Sequence, residues 1–283
     1  MLPQIAFLGA GNMATAMITG LIAQGFAPAQ LRACDPSEDA LLRLEAAGLT
    51  QLSTSPESLF ADVDLAVLAV KPQVVPDALS SIGHELSAGA ALLSIAAGIP
   101  ISSLRRHVET DVAVIRCMPN TPAMIGMGAS ALYAGDDVKG EHRDLAEQVT
   151  NAAGTTVWVA SEDLLDAVTA VSGSGPAYFF ALIEAIARAG AELGLDEKVA
   201  MSLTLQTAMG AAALAQQSDD GVAKLRENVT SPGGTTEQAL LSLQSNQFEA
   251  IVSEAVRQCA ARAAALGKEL SLIHISEPTR QHW

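Results

Sequence analysis

The sequence predicts an α/β protein in two parts: a sheet wound by helices on both faces, then a region built only of helices. Three observations predict it. Short β-rich apolar runs alternate with longer helical patterns up to about residue 160, strand signals stop beyond Ser161, and small apolar residues dominate the composition. Of 283 residues, 49% are hydrophobic but only 4% aromatic. The surplus is alanine, which favours helices and close helix packing. This length predicts about two domains, and the change of pattern puts the boundary near residue 160, giving parts at 1–160 and 161–270.

The expected strands are Ile5–Leu8, Leu31–Cys34, Leu65–Val70, Ala91–Ile95, Val112–Cys117, Ala129–Tyr133 and Thr155–Val159. Runs such as Leu65–Val70 are apolar throughout rather than alternating, as required when helices cover both faces of a parallel sheet. The expected helices of the second part are Asp163–Val171, Ala177–Leu193, Glu197–Gln217, Val222–Asn228, Thr235–Gln244 and Phe248–Leu270. The stretch from Tyr178 to Ile186 is apolar nearly all round and needs cover on every side, which points to a dimer of intertwined helices. Residues 271–283 break with the Ala/Glu/Arg pattern before them and hold two of the five histidines. They read as an atypical tail, to which no function is assigned.

Several classes are excluded. A formal charge of −15 disfavours nucleic acid, because little here displaces the counterions of a phosphate backbone. Cys34, Cys117 and Cys259 are odd in number and far apart, so neither a disulfide framework nor a metal site is expected. A reducing cytoplasm fits them. The N-terminus lacks the basic region of a secretory signal. The apolar, uncharged run Val168 to Ile183 is shorter than a bilayer span and contains Pro176, so no membrane partner is expected.

Gly9-Ala10-Gly11-Asn12-Met13-Ala14 follows a strand and opens a helix, the context that gives a G-x-G-x-x-A motif meaning. Gly9 permits the tight turn, Gly11 lets a diphosphate approach the backbone, and Ala14 allows the helix to pack closely on its strand. Free N–H groups at the helix start then face the phosphates. The first part is therefore expected to be a Rossmann-like dinucleotide-binding domain. Asp35, closing the second strand, suits a ribose 2′-hydroxyl and NAD, whereas nearby Arg32 suits the 2′-phosphate of NADP. The choice stays open at this stage. Ser37 reads most simply as a helix N-cap.

Lys71 ends the run Leu65–Val70 where ligands of open α/β sheets gather, and Pro72 fixes the direction of the loop. The small strand end Ser94-Ile95-Ala96-Ala97-Gly98 offers flat backbone to a nicotinamide, or simply a tight crossover. Met118-Pro119-Asn120-Thr121-Pro122 is a polar turn stiffened by two prolines. Ser172-Gly173-Ser174-Gly175-Pro176 is either a helix cap or a close approach to ligand.

Thr230-Ser231-Pro232-Gly233-Gly234-Thr235-Thr236-Glu237 runs two glycines into a helix start among three hydroxyls, Ser231, Thr235 and Thr236. Such a turn suits a carboxylate; the alternative is an ordinary Thr N-cap with Glu237 and Gln238 in the first turn. His84, His107 and His142 lie in no motif, so general-base histidine chemistry is not expected. Hydride delivery with orientation fits the inventory better.

The ordered set Gly9–Ala14, Ala69–Gln73, Met118–Pro122, Ser172–Tyr178 and Ser231–Thr236 resembles the pyrroline-5-carboxylate reductase family over residues 3 to about 270. The resemblance implies that NADH or NADPH reduces the C=N bond of 1-pyrroline-5-carboxylate to L-proline, the last step of proline synthesis. It implies that Gly9, Gly11, Asn12 and Met13 hold the diphosphate, and that Ala69, Lys71 and Ala97 lie along the ribose and nicotinamide. Ser231, Gly233, Gly234 and Thr235 would fix the substrate carboxylate, Thr236 would bond the ring nitrogen as the catalytic residue, and Asn120 with Pro122 would form the pocket wall. It further implies a helical dimerisation domain over 161–270 and assembly of dimers into decamers. The diphosphate turn and the carboxylate cradle are expected to open on one shared crevice. A β-hydroxyacid dehydrogenase is the nearest rival, but the lysine it needs is absent from the helix after Pro176. A nucleotide-sensing module without turnover would not require the cradle.

Overall fold

The computed structural model describes residues 2–108 and 111–276, the last six of these by their backbone alone. Most of the atypical tail, residues 277–283, lies outside the described residues. The chain divides into two compact units, one comprising residues 1–174 with 259–283 and the other residues 175–258.

The first unit is built on β1 (Ile5–Leu8), α1 (Asn12–Ala23), β2 (Leu31–Cys34), α2 (Glu38–Ala46), β3 (Gln51–Ser53), β4 (Leu65–Leu68), α3 (Val75–Ile82) and β5 (Ala91–Ser94). A short α4 (Ile101–Leu104), β6 (Ala113–Met118), β7 (Gly128–Ala134), α5 (Gly140–Asn151), β8 (Gly154–Trp158) and α6 (Leu164–Val168) follow. The eight strands lie in the order β3-β2-β1-β4-β5-β6-β7-β8. All pairs are parallel except β6 with β7. Nine residues, 119–127, separate those two strands, too few for a crossover, so β7 must return antiparallel.

All seven expected strands are present. β3 was not expected: Gln51-Leu52-Ser53 has one apolar residue and forms a three-residue sheet edge, below what pattern can register. The sheet's alternation explains its uniformly apolar strands. Ile5 and Phe7 join Met17, Ile18, Leu21, Leu31 and Leu44 in the core on one face. Ala6 and Leu8 join Phe60, Leu68, Leu79, Ile82 and Val114 on the other. Each residue of the central strands β1, β4 and β5 is thus buried on one side or the other.

After β8 the chain is helical. A turn of π-helix, Thr169–Gly173, links α6 to the second unit. That unit holds α7 (Gly175–Glu192), α8 (Glu197–Gln217), α9 (Val222–Asn228), α10 (Thr235–Ser245) and the start of α11 (Phe248–Ser276). Pro176 sits in the first turn of α7, where its missing N–H costs nothing. Asp196 caps α8, its Oδ1 accepting from Lys198 N at 3.0 Å and Val199 N at 3.3 Å. Gly190 of α7 and Ala200 of α8 face each other across this hairpin. Only Gly175, Ala187, Ala200 and Thr204 are buried among residues 175–258.

Candidate functional site

The carboxyl ends of β1, β2, β4 and β5 bring the first group of candidates together within the first unit. Gly9 turns at φ +103°, and a Cβ there would meet the Ala69 carbonyl oxygen at 2.7 Å. The turn is therefore open to glycine alone, and it sets Gly9 against Ala69 directly. Gly9 N also donates to Cys34 O at 2.7 Å, tying the turn to β2. Gly11 is the N-cap of α1 and makes no side-chain cap, and no acidic residue occupies the first turn. A Cβ on Gly11 would meet nothing within 4 Å. The exposed start of α1, at Gly11 and Asn12, thus presents N–H groups to open space with no hydrogen-bond partner among the described residues. These residues fit a diphosphate.

Asp35 follows β2 and faces this turn, with Oδ2 accepting from Ala10 N at 2.7 Å and Oδ1 from Ser37 N at 2.9 Å. Ser37 caps α2 through Ala40 N at 3.3 Å, the simpler of its two readings. Arg32 Nη1 donates to Leu59 O at 3.2 Å and Ala61 O at 2.9 Å. Lys71 is exposed at the end of β4, and Ala97 is exposed just beyond β5.

Asn120 sits at the end of β6, 9% exposed. Its amide is committed on both sides: Nδ2 donates to Ser172 O at 3.0 Å, and Oδ1 accepts from Ala129 N at 2.8 Å. It clasps the Pro119–Pro122 turn to β7 and to the π-turn. Pro122 lies within the following turn of 3-10 helix, Thr121–Ile125. Gly173 lies against Met118, so the Ser172–Pro176 stretch acts as a packing point and a helix start.

The sequence reading missed one polar cluster in this unit. Arg116 Nη1 pairs with Glu162 Oε1 at 2.8 Å, both largely buried, and the same oxygen accepts from Ile101 N at 2.7 Å. Burial raises the Asp166 pKa, an effect the Arg116 charge opposes. Glu162 lies 46 residues from Arg116, a separation that leaves no local pattern. The buried thiols are inert: burial pushes Cys34 up to about 11, with Asp35 adding to it, and Cys117 up to about 12.

The second group of candidates lies in the second unit. Gly233 turns at φ +72°, and Gly234 is the N-cap of α10 without a side-chain cap. Two donors of the cradle are spent: Gly233 N reaches Glu237 Oε2 at 2.8 Å, and Gly234 N reaches Ser231 O at 2.9 Å. Glu237 stands in the first turn, as the N-cap alternative expects, but the N-cap is Gly234 and not a threonine. The hydroxyls of Ser231, Thr235 and Thr236 make no hydrogen bond among those observed for the described residues, and α10 still opens with its backbone donors uncapped. An acid ligand would be held by them, and by Gly233 N once Glu237 releases it.

A glycine turn at the carboxyl edge of a parallel sheet, joined to a helical unit, defines a two-part dinucleotide-binding oxidoreductase. Residues 4–98 match the family model described as NADP oxidoreductase, coenzyme F420-dependent, and residues 162–266 match the model for pyrroline-5-carboxylate reductase dimerisation. The chain is 46% identical over 268 residues to a pyrroline-5-carboxylate reductase from Pseudomonas aeruginosa, covering 95% of this chain and 98% of that protein. A solved pyrroline-5-carboxylate reductase from Coxiella burnetii superposes with a TM-score of 0.90 at 35% identity, over 94% of this chain and 99% of that one. A Plasmodium falciparum pyrroline carboxylate reductase with NADP bound gives 0.80 at 30% identity, over 94% and 98%. The chain belongs to the pyrroline-5-carboxylate reductase family.

Proposed function

We propose that the protein reduces the ring C=N bond of 1-pyrroline-5-carboxylate to L-proline with NADH or NADPH, the last step of proline biosynthesis. A cytoplasmic setting fits its three far-separated cysteines, of which Cys34 and Cys117 are buried. Dimers paired through the helical unit, with decamers as a further assembly, fit the family.

In this reading, Gly9, Gly11, Asn12 and Met13 hold the diphosphate at the start of α1. Asp35 takes the adenosine ribose, while Ala69, Lys71 and Ala97 border the nicotinamide half. When bound, the reduced nicotinamide supplies a hydride. Ser231, Gly233, Gly234 and Thr235 hold the substrate carboxylate, and Thr236 hydrogen-bonds the ring nitrogen so that the imine carbon is presented in one orientation. Pro122 and the turn held by Asn120 form wall. The ring iminium already carries its proton and is electrophilic, so no strong side-chain acid is needed and rate comes mainly from positioning.

One observation carries the reading: two helices, α1 and α10, each start at a glycine N-cap with no side chain capping it. One suits a diphosphate and the other a small acid. The test is oxidation of NADH and NADPH in the presence of 1-pyrroline-5-carboxylate, followed by absorbance, with proline measured as product. No turnover with either cofactor removes the proposal. Thr236→Ala is expected to lower kcat about 10- to 100-fold, the worth of one hydrogen bond to a charged group, with dinucleotide affinity unchanged. An unaltered kcat removes Thr236 from its role.

A further inference from the structure

The glycine turn is flanked by a carboxylate that the fold has fixed in place. Besides its two side-chain bonds to Ala10 N and Ser37 N, Asp35 donates its own backbone N–H to Ser53 O at 3.2 Å. Backbone and side chain are thus both anchored, between β3 and the turn that suits the diphosphate. Each oxygen of an ionised carboxylate has two acceptor positions, so each keeps one for a further donor. A ribose hydroxyl is such a donor. A 2′-phosphate offers acceptor oxygens and negative charge, and meets repulsion instead.

Among the described residues, Asp35 makes no ion pair. Arg32 is committed to the carbonyls of Leu59 and Ala61. Glu38 and Asp39 open α2 directly after Asp35. Between Arg43, in the last turn of α2, and Lys71 the chain has no Lys or Arg. Lys71 follows β4, and β1 lies between β4 and β2 in the sheet.

We infer that Asp35 makes this chain prefer NADH to NADPH, by accepting from the adenosine ribose hydroxyl and repelling a 2′-phosphate at the same place. The inference rests on the cofactor reading given above and settles which of its two cofactors is used.

Isothermal titration of the whole protein with NADH, NADPH, 5′-ADP and 2′,5′-ADP tests it without turnover. NADH is expected to bind at least about ten-fold more tightly than NADPH, and 5′-ADP more tightly than 2′,5′-ADP, as a like-charge contact requires. Equal affinities, or tighter NADPH, overturn the inference and leave the cofactor reading intact. Binding of neither dinucleotide overturns the cofactor reading and the inference with it. Asp35→Asn keeps an acceptor for one anchoring N–H while removing the charge, and is expected to narrow the ratio by about ten-fold. A folded variant with an unchanged ratio overturns the role of Asp35, and the wild-type ratio decides the preference even where the variant fails to fold.

Discussion

Gly9 and Gly11 stand two residues apart and serve different needs. Gly9 has positive φ and no room, since its Cβ would meet the Ala69 carbonyl carbon at 2.8 Å as well as its oxygen. Gly9→Ala therefore strikes the fold, at a cost of about 2–3 kcal/mol. Gly11 has extended backbone and open space around it, so Gly11→Val should fold like the wild type yet fill the ground a diphosphate needs. The expected result is an unchanged thermal transition with NADH affinity lowered at least about ten-fold, read by calorimetry. A Gly11→Val protein that binds NADH normally would show that the start of α1 is not the phosphate site. The spacing of these glycines was visible in sequence because both act within one turn. Asn120 shows the opposite case. Its partners, Ser172 O and Ala129 N, lie 52 and 9 residues away, and only the folded chain reveals that its amide is held by backbone.

Between elements, the decisive contact of the first unit is the approach of α5 to α1. Gly20 lies in the middle of α1, and a Cβ there would fall 2.0 Å from Ala152 O and 2.6 Å from Ala152 C, just past the end of α5. Two effects compete in Gly20→Ala. Helix propensity favours alanine by about 1 kcal/mol, whereas driving a methyl group into a backbone carbonyl forces the helices apart, at about 2–4 kcal/mol. Sterics should win, and urea unfolding is expected to show net destabilisation; a stabilised variant would mean that α5 yields freely. At this scale the sequence was legible wherever an element carried its own pattern. The apolar runs mark strands most plainly at β1, β4 and β5, where burial on both faces writes itself into every residue, and α8, α9 and α10 follow closely from periodicity and glycine stops. β3 escaped because an edge strand is defined by its neighbour's free hydrogen bonds. The reversal of β7 followed from loop length, which runs of apolar residues do not encode.

For the whole molecule, the question is what the helical unit uses as a core. Four buried residues, two of them alanine and one glycine, cannot stabilise the 84 residues from 175 to 258. The apolar side chains that would do so face outward: Phe179 is 66% exposed, Phe180 65% and Leu203 56%. Phe179, Leu182, Ile186 and Leu203 line one groove between α7 and α8. The stretch Leu164–Glu192 is long and apolar enough by length and composition to cross a membrane, with 17% of its most apolar window buried. The dimerisation match over 162–266 supplies the other way to cover it, a second copy of the same face. Folding of this unit should then be coupled to association. The wild-type thermal midpoint is expected to rise with protein concentration, as mass action requires of an obligate dimer. Leu203→Glu places a charge in the groove and should lower that midpoint, remove its concentration dependence and abolish turnover, with sedimentation showing monomer. A wild-type protein that sediments as a stable monomer, with a midpoint independent of concentration, would mean that these side chains are covered by something other than a partner subunit.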